Sequence, residues 1–126
     1  MFKIFLMCLG LHLFADYTLQ GILAQMKQVS WWRKQTDDPM YKHDWACAMF
    51  CHALYWTLVT FAPVIYLWHE STILLAVLLG LNVTAHFAID DLKANGHQLN
   101  LWQDQVLHLM QVGGTVLWLS GLGAAR

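Results

Sequence analysis

His12 and Asp16, His86 and Asp90, and Asp104 and His108 form three histidine/aspartate pairs, each four residues apart. On a helix that spacing puts both side chains on one face, one turn apart, as two ligands offered to the same ion. His52 adds a fourth imidazole. Neutral imidazole with carboxylate is a ligand set for zinc, manganese or iron. Four histidines and three aspartates exceed what one tetrahedral zinc needs. They suit about two divalent ions sharing a bridging carboxylate with positions open to water, an arrangement that hydrolyses phosphoesters. On this reading His12, Asp16, His52, His86, Asp90, Asp104 and His108 are metal ligands. Asp16, Asp104 and Lys93 carry the reaction, and Gln20 and Lys93 hold the substrate. A lattice of hydrogen bonds without metal and a proton relay are the competing readings of the same pairs.

These pairs lie inside apolar runs, and that fixes what must position them. Four stretches, Phe2 to Met26, Asp44 to Trp68, Ser71 to Asp91 and Asn100 to Leu122, each approach the roughly 20 residues needed to cross hydrocarbon. Alternation of the β type is absent. The expected fold is all-α: an integral membrane four-helix bundle, up-down-up-down, in one domain spanning 1–126 with a polar loop at 27–43. Helix rise places the polar groups of all four segments in the same half of that bundle. An aspartate near mid-bilayer costs roughly 2.5–3.5 kcal/mol on insertion scales, so three carboxylates demand compensation.

Composition agrees with a membrane setting. Of 126 residues, 58% are hydrophobic and 12% charged. Net charge is −1, which offers no basic surface to nucleic acid. Lys27, Arg33, Lys34, Lys42 and Lys93 fall in the first and third loops, against Lys3 and Arg126 on the other side. The positive-inside tendency then puts those loops in the cytoplasm and both termini outside, in a bacterial inner membrane. Trp31, Trp32 and Tyr41 in the long loop read as an interfacial belt. Asn95-Gly96 reads as a helix stop, Asn100 as an N-cap. His43, His69 and His97 read as solvated. Lys27 reads first as an interfacial lysine. Cys8, Cys47 and Cys51 read as reduced and buried, with Cys51 beside His52 as an additional candidate ligand.

The stretches HLFADYTLQ, then His52, then HFAIDDLK and DQVLH resemble the signature of a family of small bacterial and phage membrane proteins of unknown function. Its pattern is HxxxDxxxQ, a histidine in the second helix, HxxxDxxK and DQxxH. His12, Asp16, Gln20, His52, His86, Asp90, Lys93, Asp104, Gln105 and His108 fall on its positions. More distantly the arrangement is similar to membrane-bound metal-dependent hydrolases. The Glu-x-x-His spacing of soluble di-iron bundles is absent, which disfavours oxygen chemistry on that plan. Gln105, about 100° round the helix from Asp104, is expected to orient a neighbour.

Two function classes follow. The first is a metal-dependent hydrolase in the membrane, with zinc favoured and manganese or iron as alternatives, acting on a phosphoester, a lipid-linked phosphate or a nucleotide-linked lipid at the cytoplasmic side. The second is a non-enzymatic structural or interaction protein whose polar core is a staple. The lipid bilayer is a partner in either case, and self-association is left open.

Overall fold

In a computed structural model, residues 2–68 and 71–124 are described, with side chains to residue 121. His69, Glu70 and Arg126, which entered the loop and orientation readings, lie outside them. The described residues are all-helical, with no strand among them.

The first apolar stretch does not run as one helix. Helix α1 (Phe2–Phe14) continues into a wide π-helical turn, Ala15–Leu19, and stops at Gln20 and Gly21. Gly21 takes φ +52°, a left-handed conformation that glycine adopts without steric cost. The short helices α2 (Leu23–Met26) and α3 (Val29–Gln35) follow, then a 3₁₀ turn, Pro39–Tyr41. Helix α4 (Asp44–Thr60) ends at Phe61, and α5 (Ala62–Leu67) restarts with Pro63 in its first turn. Proline there has no N–H to give the preceding turn, so the expected segment to Trp68 is broken. Helix α6 covers Thr72–Ala94 and α7 covers Leu101–Ala124.

The ends of α6 and α7 behave as their residue types demand. After Ala94, the Gly96 N–H donates to the Asp91 carbonyl at 2.9 Å. Asn100 Oδ1 accepts from the Gln103 N–H at 2.9 Å while Gln103 Oε1 accepts from the Asn100 N–H at 3.0 Å. This reciprocal box satisfies donors that α7 would otherwise leave unpaired.

Helix α1 packs on α4 and α7, and α6 packs on the same two, which closes a four-membered ring. The polar contacts give its sense. The C-terminal end of α1, the first half of α4, the end of α6 and the start of α7 meet at one end, so neighbours run antiparallel. At the other end Cys8, Trp56, Phe61, Val64, Val112 and Val116 form the apolar core.

Polar groups share the interior, and large apolar side chains cover much of the outside. Among the described residues, twelve hydrophobic residues are buried beside nine polar or charged ones, while Phe2, Leu6, Phe50, Leu58, Ile73, Leu81, Met110, Leu117 and other large apolar side chains face outward. Buried polar groups and large exposed apolar surfaces are the informative departures from the usual pattern. Two helical segments, Phe2–Leu19 and Thr72–Ala94, are long and apolar enough to cross a membrane. The expected second and fourth spans do not join them: α4 has 17 residues before the Phe61 break, about 26 Å of helix, and α7 carries Gln103, Asp104 and Gln105 near its start.

Candidate metal centre

Asp16 sits in the π turn, His52 on the inner face of α4, His86 and Asp90 on α6, and Asp104 and His108 on α7. All six side chains are buried or nearly so. π-helical turns occur often at functional sites. Here the wide turn carries Gln20 out of the cluster to its mouth.

The Nε2 atoms of three imidazoles converge on the three carboxylates. His52 Nε2 is 3.1 Å from His86 Nε2, 3.3 Å from Asp90 Oδ2 and 3.7 Å from Asp16 Oδ1. His108 Nε2 is 3.3 Å from Asp90 Oδ1 and 3.5 Å from Asp104 Oδ1. His86 Nε2 is 3.8 Å from Asp90 Oδ2. A tetrahedral ion with bonds of about 2.0–2.1 Å has ligand-to-ligand edges of roughly 3.3–3.4 Å. The observed separations bracket that edge. Asp16, His52 and His86 form one group able to hold a metal ion, and His86, Asp90 and His108 form another; Asp104, expected as a ligand, borders His108 but falls in neither group.

Two oxygens in the cluster, Asp16 Oδ1 and Asp104 Oδ1, have no hydrogen-bond partner among the described residues. A buried unpaired polar atom costs about 1–3 kcal/mol, more when charged. A cation held by Asp16, His52 and His86 would satisfy Asp16 Oδ1, so those residues fit one. The Nδ1 atoms of His52, His86 and His108 also have no partner among the described residues. His86 packs against both Trp56, at a 4.0 Å centroid distance, and His108, at 4.3 Å.

Two lysines reach the carboxylates from the end of the bundle. Lys27 Nζ donates to Asp90 Oδ2 at 2.5 Å, and Lys93 Nζ to Asp104 Oδ2 at 2.6 Å. Lys27 is positioned from a distance by Asn95, whose Oδ1 accepts from the Val29 N–H at 2.8 Å and whose amide donates to the Lys27 carbonyl at 3.2 Å. Its role is thus larger than its loop position suggests. Above the pairs lies an open cavity of about 370 Å³ lined by Gln20, Lys27, Gln28, Asp90, Lys93 and His97. His97 is exposed, as expected, but it belongs to this mouth.

His12 is built in differently from the other three histidines. The Trp56 indole can only donate, so its N–H to His12 Nδ1, at 3.0 Å, makes Nδ1 an acceptor and leaves the proton on Nε2. That proton faces Gln105 Oε1 at 3.3 Å. The Gln105 amide is thereby fixed with its NH₂ toward Asp104 Oδ2, at 3.0 Å, and Asp16 Oδ2, at 3.5 Å. Both ring nitrogens of His12 are engaged, and it belongs to neither ligand group. Its part is to aim Gln105, which ties the carboxylates of α1 and α7 together. Trp56 is the anchor of that chain.

Asn82, Gln111 and Thr115 make a separate clasp. Gln111 Nε2 donates to the Asn82 carbonyl at 2.7 Å, and Thr115 Oγ1 to Asn82 Oδ1 at 3.1 Å. Cys8 is buried, but Cys47 and Cys51 are exposed. The expectation that all three are buried is corrected for these two. They occupy the face of α4 opposite Met49, His52 and Trp56, so Cys51 does not join the cluster.

What the geometry supplies is a buried, three-imidazole, three-carboxylate centre beneath a lysine-rimmed mouth, able to hold a metal ion. No protein-family model, curated protein or solved structure matches the chain.

Proposed function

We propose that the chain is an integral membrane protein, a four-helix up-down bundle, whose polar end binds a divalent ion and hydrolyses a phosphoester or lipid-linked phosphate. The observation that carries this reading is the convergence of His52, His86 and His108 Nε2 with Asp16, Asp90 and Asp104 beneath the cavity rimmed by Gln20, Lys27 and Lys93. Outward-facing apolar side chains on α4 and α7, such as Leu54, Leu58, Leu109 and Leu117, support a hydrocarbon surround for those helices as well as for the two longer spans. The basic residues gather at the site's end, which by the positive-inside tendency faces the cytoplasm. The motif positions that suggested the family of small bacterial and phage membrane proteins all fall in this cluster, its mouth or the His12–Gln105 chain, which is what a shared site would require.

Charge favours about one ion over two. Three carboxylates against Lys27 and Lys93 leave one negative charge with the imidazoles neutral, and His86, common to both ligand groups, has a single Nε2 lone pair to give. Nitrogen and oxygen ligands at tetrahedral edge lengths favour zinc. When bound, such an ion supplies Lewis acidity toward a phosphoryl oxygen and acidifies water. The protein's own groups do the rest. Lys27 and Lys93 orient an anionic group at the mouth, Gln20 hydrogen-bonds it, Asp16 would help hold the ion, and Asp104 presents its unpaired oxygen to a proton arriving from water. Gln105 keeps those two carboxylates aimed.

A second reading, a non-enzymatic membrane protein with a stapled core, draws on the close Lys27–Asp90 and Lys93–Asp104 pairs, which already compensate two carboxylates. The two are separated by assaying the metal-loaded protein in detergent against phosphomonoesters, phosphodiesters and lipid phosphates. Turnover that falls at least a hundredfold in Asp104→Asn supports the hydrolase. Full metal occupancy with no turnover on any of the panel overturns it in favour of the staple.

A further inference from the structure

A second cavity, larger than the mouth of the metal centre, lies in the loop region between α2 and α4. It measures about 570 Å³ and is lined by the aromatic residues Trp32, Tyr41 and Trp45 and the charged residues Arg33, Asp37, Asp38 and Lys42, among others. None of the metal-centre residues lines it.

Its walls are held in place. The Trp32 indole donates to the Met26 carbonyl at 2.7 Å, and the Tyr41 ring lies parallel to it within 9°, centroids 6.2 Å apart. Asp38 Oδ1 caps the 3₁₀ turn by accepting from the Met40 N–H at 2.9 Å, which leaves its second oxygen for the cavity. The four charges around this cavity are two cations and two anions, yet no ion pair joins them to each other or to any other charged group among the described residues. All four are exposed, so charges of both signs are free to meet a ligand that carries both.

The cavity's depth follows from Asn95. This residue caps α6, the most apolar candidate span, one position after its last helical residue. Its side chain accepts from the Val29 N–H, so α3 begins beside the foot of that span. Tryptophan and tyrosine at such a level face the headgroup region of a bilayer.

We infer that Trp32, Tyr41 and Trp45, with Asp37 and Asp38, take the ammonium of a zwitterionic phospholipid headgroup whose phosphate is held by Arg33 and Lys42. Aromatic faces attract ammonium groups through their quadrupole, and nearby carboxylates add to that attraction. Guanidinium and ammonium groups take phosphate by charge-assisted hydrogen bonds. The inference rests on the membrane reading above for its choice of a lipid, and it is independent of the hydrolase reading.

The test uses the full chain in detergent with two water-soluble headgroups, glycerophosphoethanolamine and glycerophosphoglycerol, followed by calorimetry. They share the phosphate and differ in the ammonium. Glycerophosphoethanolamine is expected to bind at least tenfold more tightly, with the preference abolished in Asp37→Asn and Tyr41→Leu while bound metal stays unchanged. Equal binding of both headgroups, binding of neither, or variants that behave as wild type overturns the inference. Flotation with phosphatidylethanolamine vesicles reads the membrane claim separately: a chain that stays in the aqueous fraction yet binds glycerophosphoethanolamine keeps the cage and overturns the membrane setting. One that floats without headgroup preference does the reverse.

Discussion

Replacing Trp56 by phenylalanine isolates the donor that begins the His12 chain. Phenylalanine keeps an aromatic ring against His86 and Phe61 but has no N–H. His12 Nδ1, fully buried, then faces apolar groups with its lone pair unpaired, or its proton moves to Nδ1 and Gln105 loses the donor that fixes its amide. The first outcome costs about 1–3 kcal/mol, the usual penalty for orphaning a buried polar atom. The smaller ring adds a cavity term of similar or smaller size. Unfolding in mixed micelles should therefore show Trp56→Phe destabilised by roughly 2–4 kcal/mol. Trp118→Phe, at a half-exposed indole, should cost under about 0.5 kcal/mol. Nitrogen NMR of histidine-labelled protein reads the tautomer directly: His12 should carry its proton on Nε2 in the wild type. A proton on Nδ1 there, or a Trp56→Phe loss below about 0.5 kcal/mol, would refute the reasoning.

Other outcomes follow from burial. Lys27→Met should destabilise more than Lys93→Met in the same unfolding assay, because the Lys27 side chain is 12% exposed beside Asp90 and Lys93 is 37% exposed beside Asp104. Breaking a buried pair costs about 3–5 kcal/mol, and solvent reduces that for the more open one. A maleimide in detergent should label Cys47 and Cys51 and spare Cys8 until the protein unfolds, as mass spectrometry of the alkylated peptides will read. Gly113→Ala should raise stability by about 0.5–1 kcal/mol, since a Cβ there meets only the Phe5 ring at 3.8 Å.

The three His/Asp pairs were legible in the sequence because ionisable groups in apolar helices have few places to go except inward, and i,i+4 spacing fixes a shared face. Spacing could not tell His12 from His86, since the two pairs are identical in pattern. What separates them is the Trp56 indole 44 residues away. The break after Leu19 had a signal in Gly21, and the end of α4 had one in Pro63. Both were outweighed by the apolar runs that contain them. The exposure of Cys47 and Cys51 was readable from His52: with His52 turned inward, Cys51 lies about 100° round the helix and Cys47 one turn below it. The Lys27–Asp90 pair was not legible. It depends on Asn95 drawing the start of α3 against the end of α6, a contact between residues 66 apart.

The central claim is that the six-residue cluster is a metal centre. Elemental analysis of protein purified without chelator, wild type beside His86→Ala and His12→Ala, tests it most directly. About one divalent ion per chain is expected in the wild type. It should be lost in His86→Ala, which removes the imidazole common to both ligand groups, and largely retained in His12→Ala, where only the aim of Gln105 changes. Metal absent from the wild type, or the same trace content in all three proteins, would contradict the account.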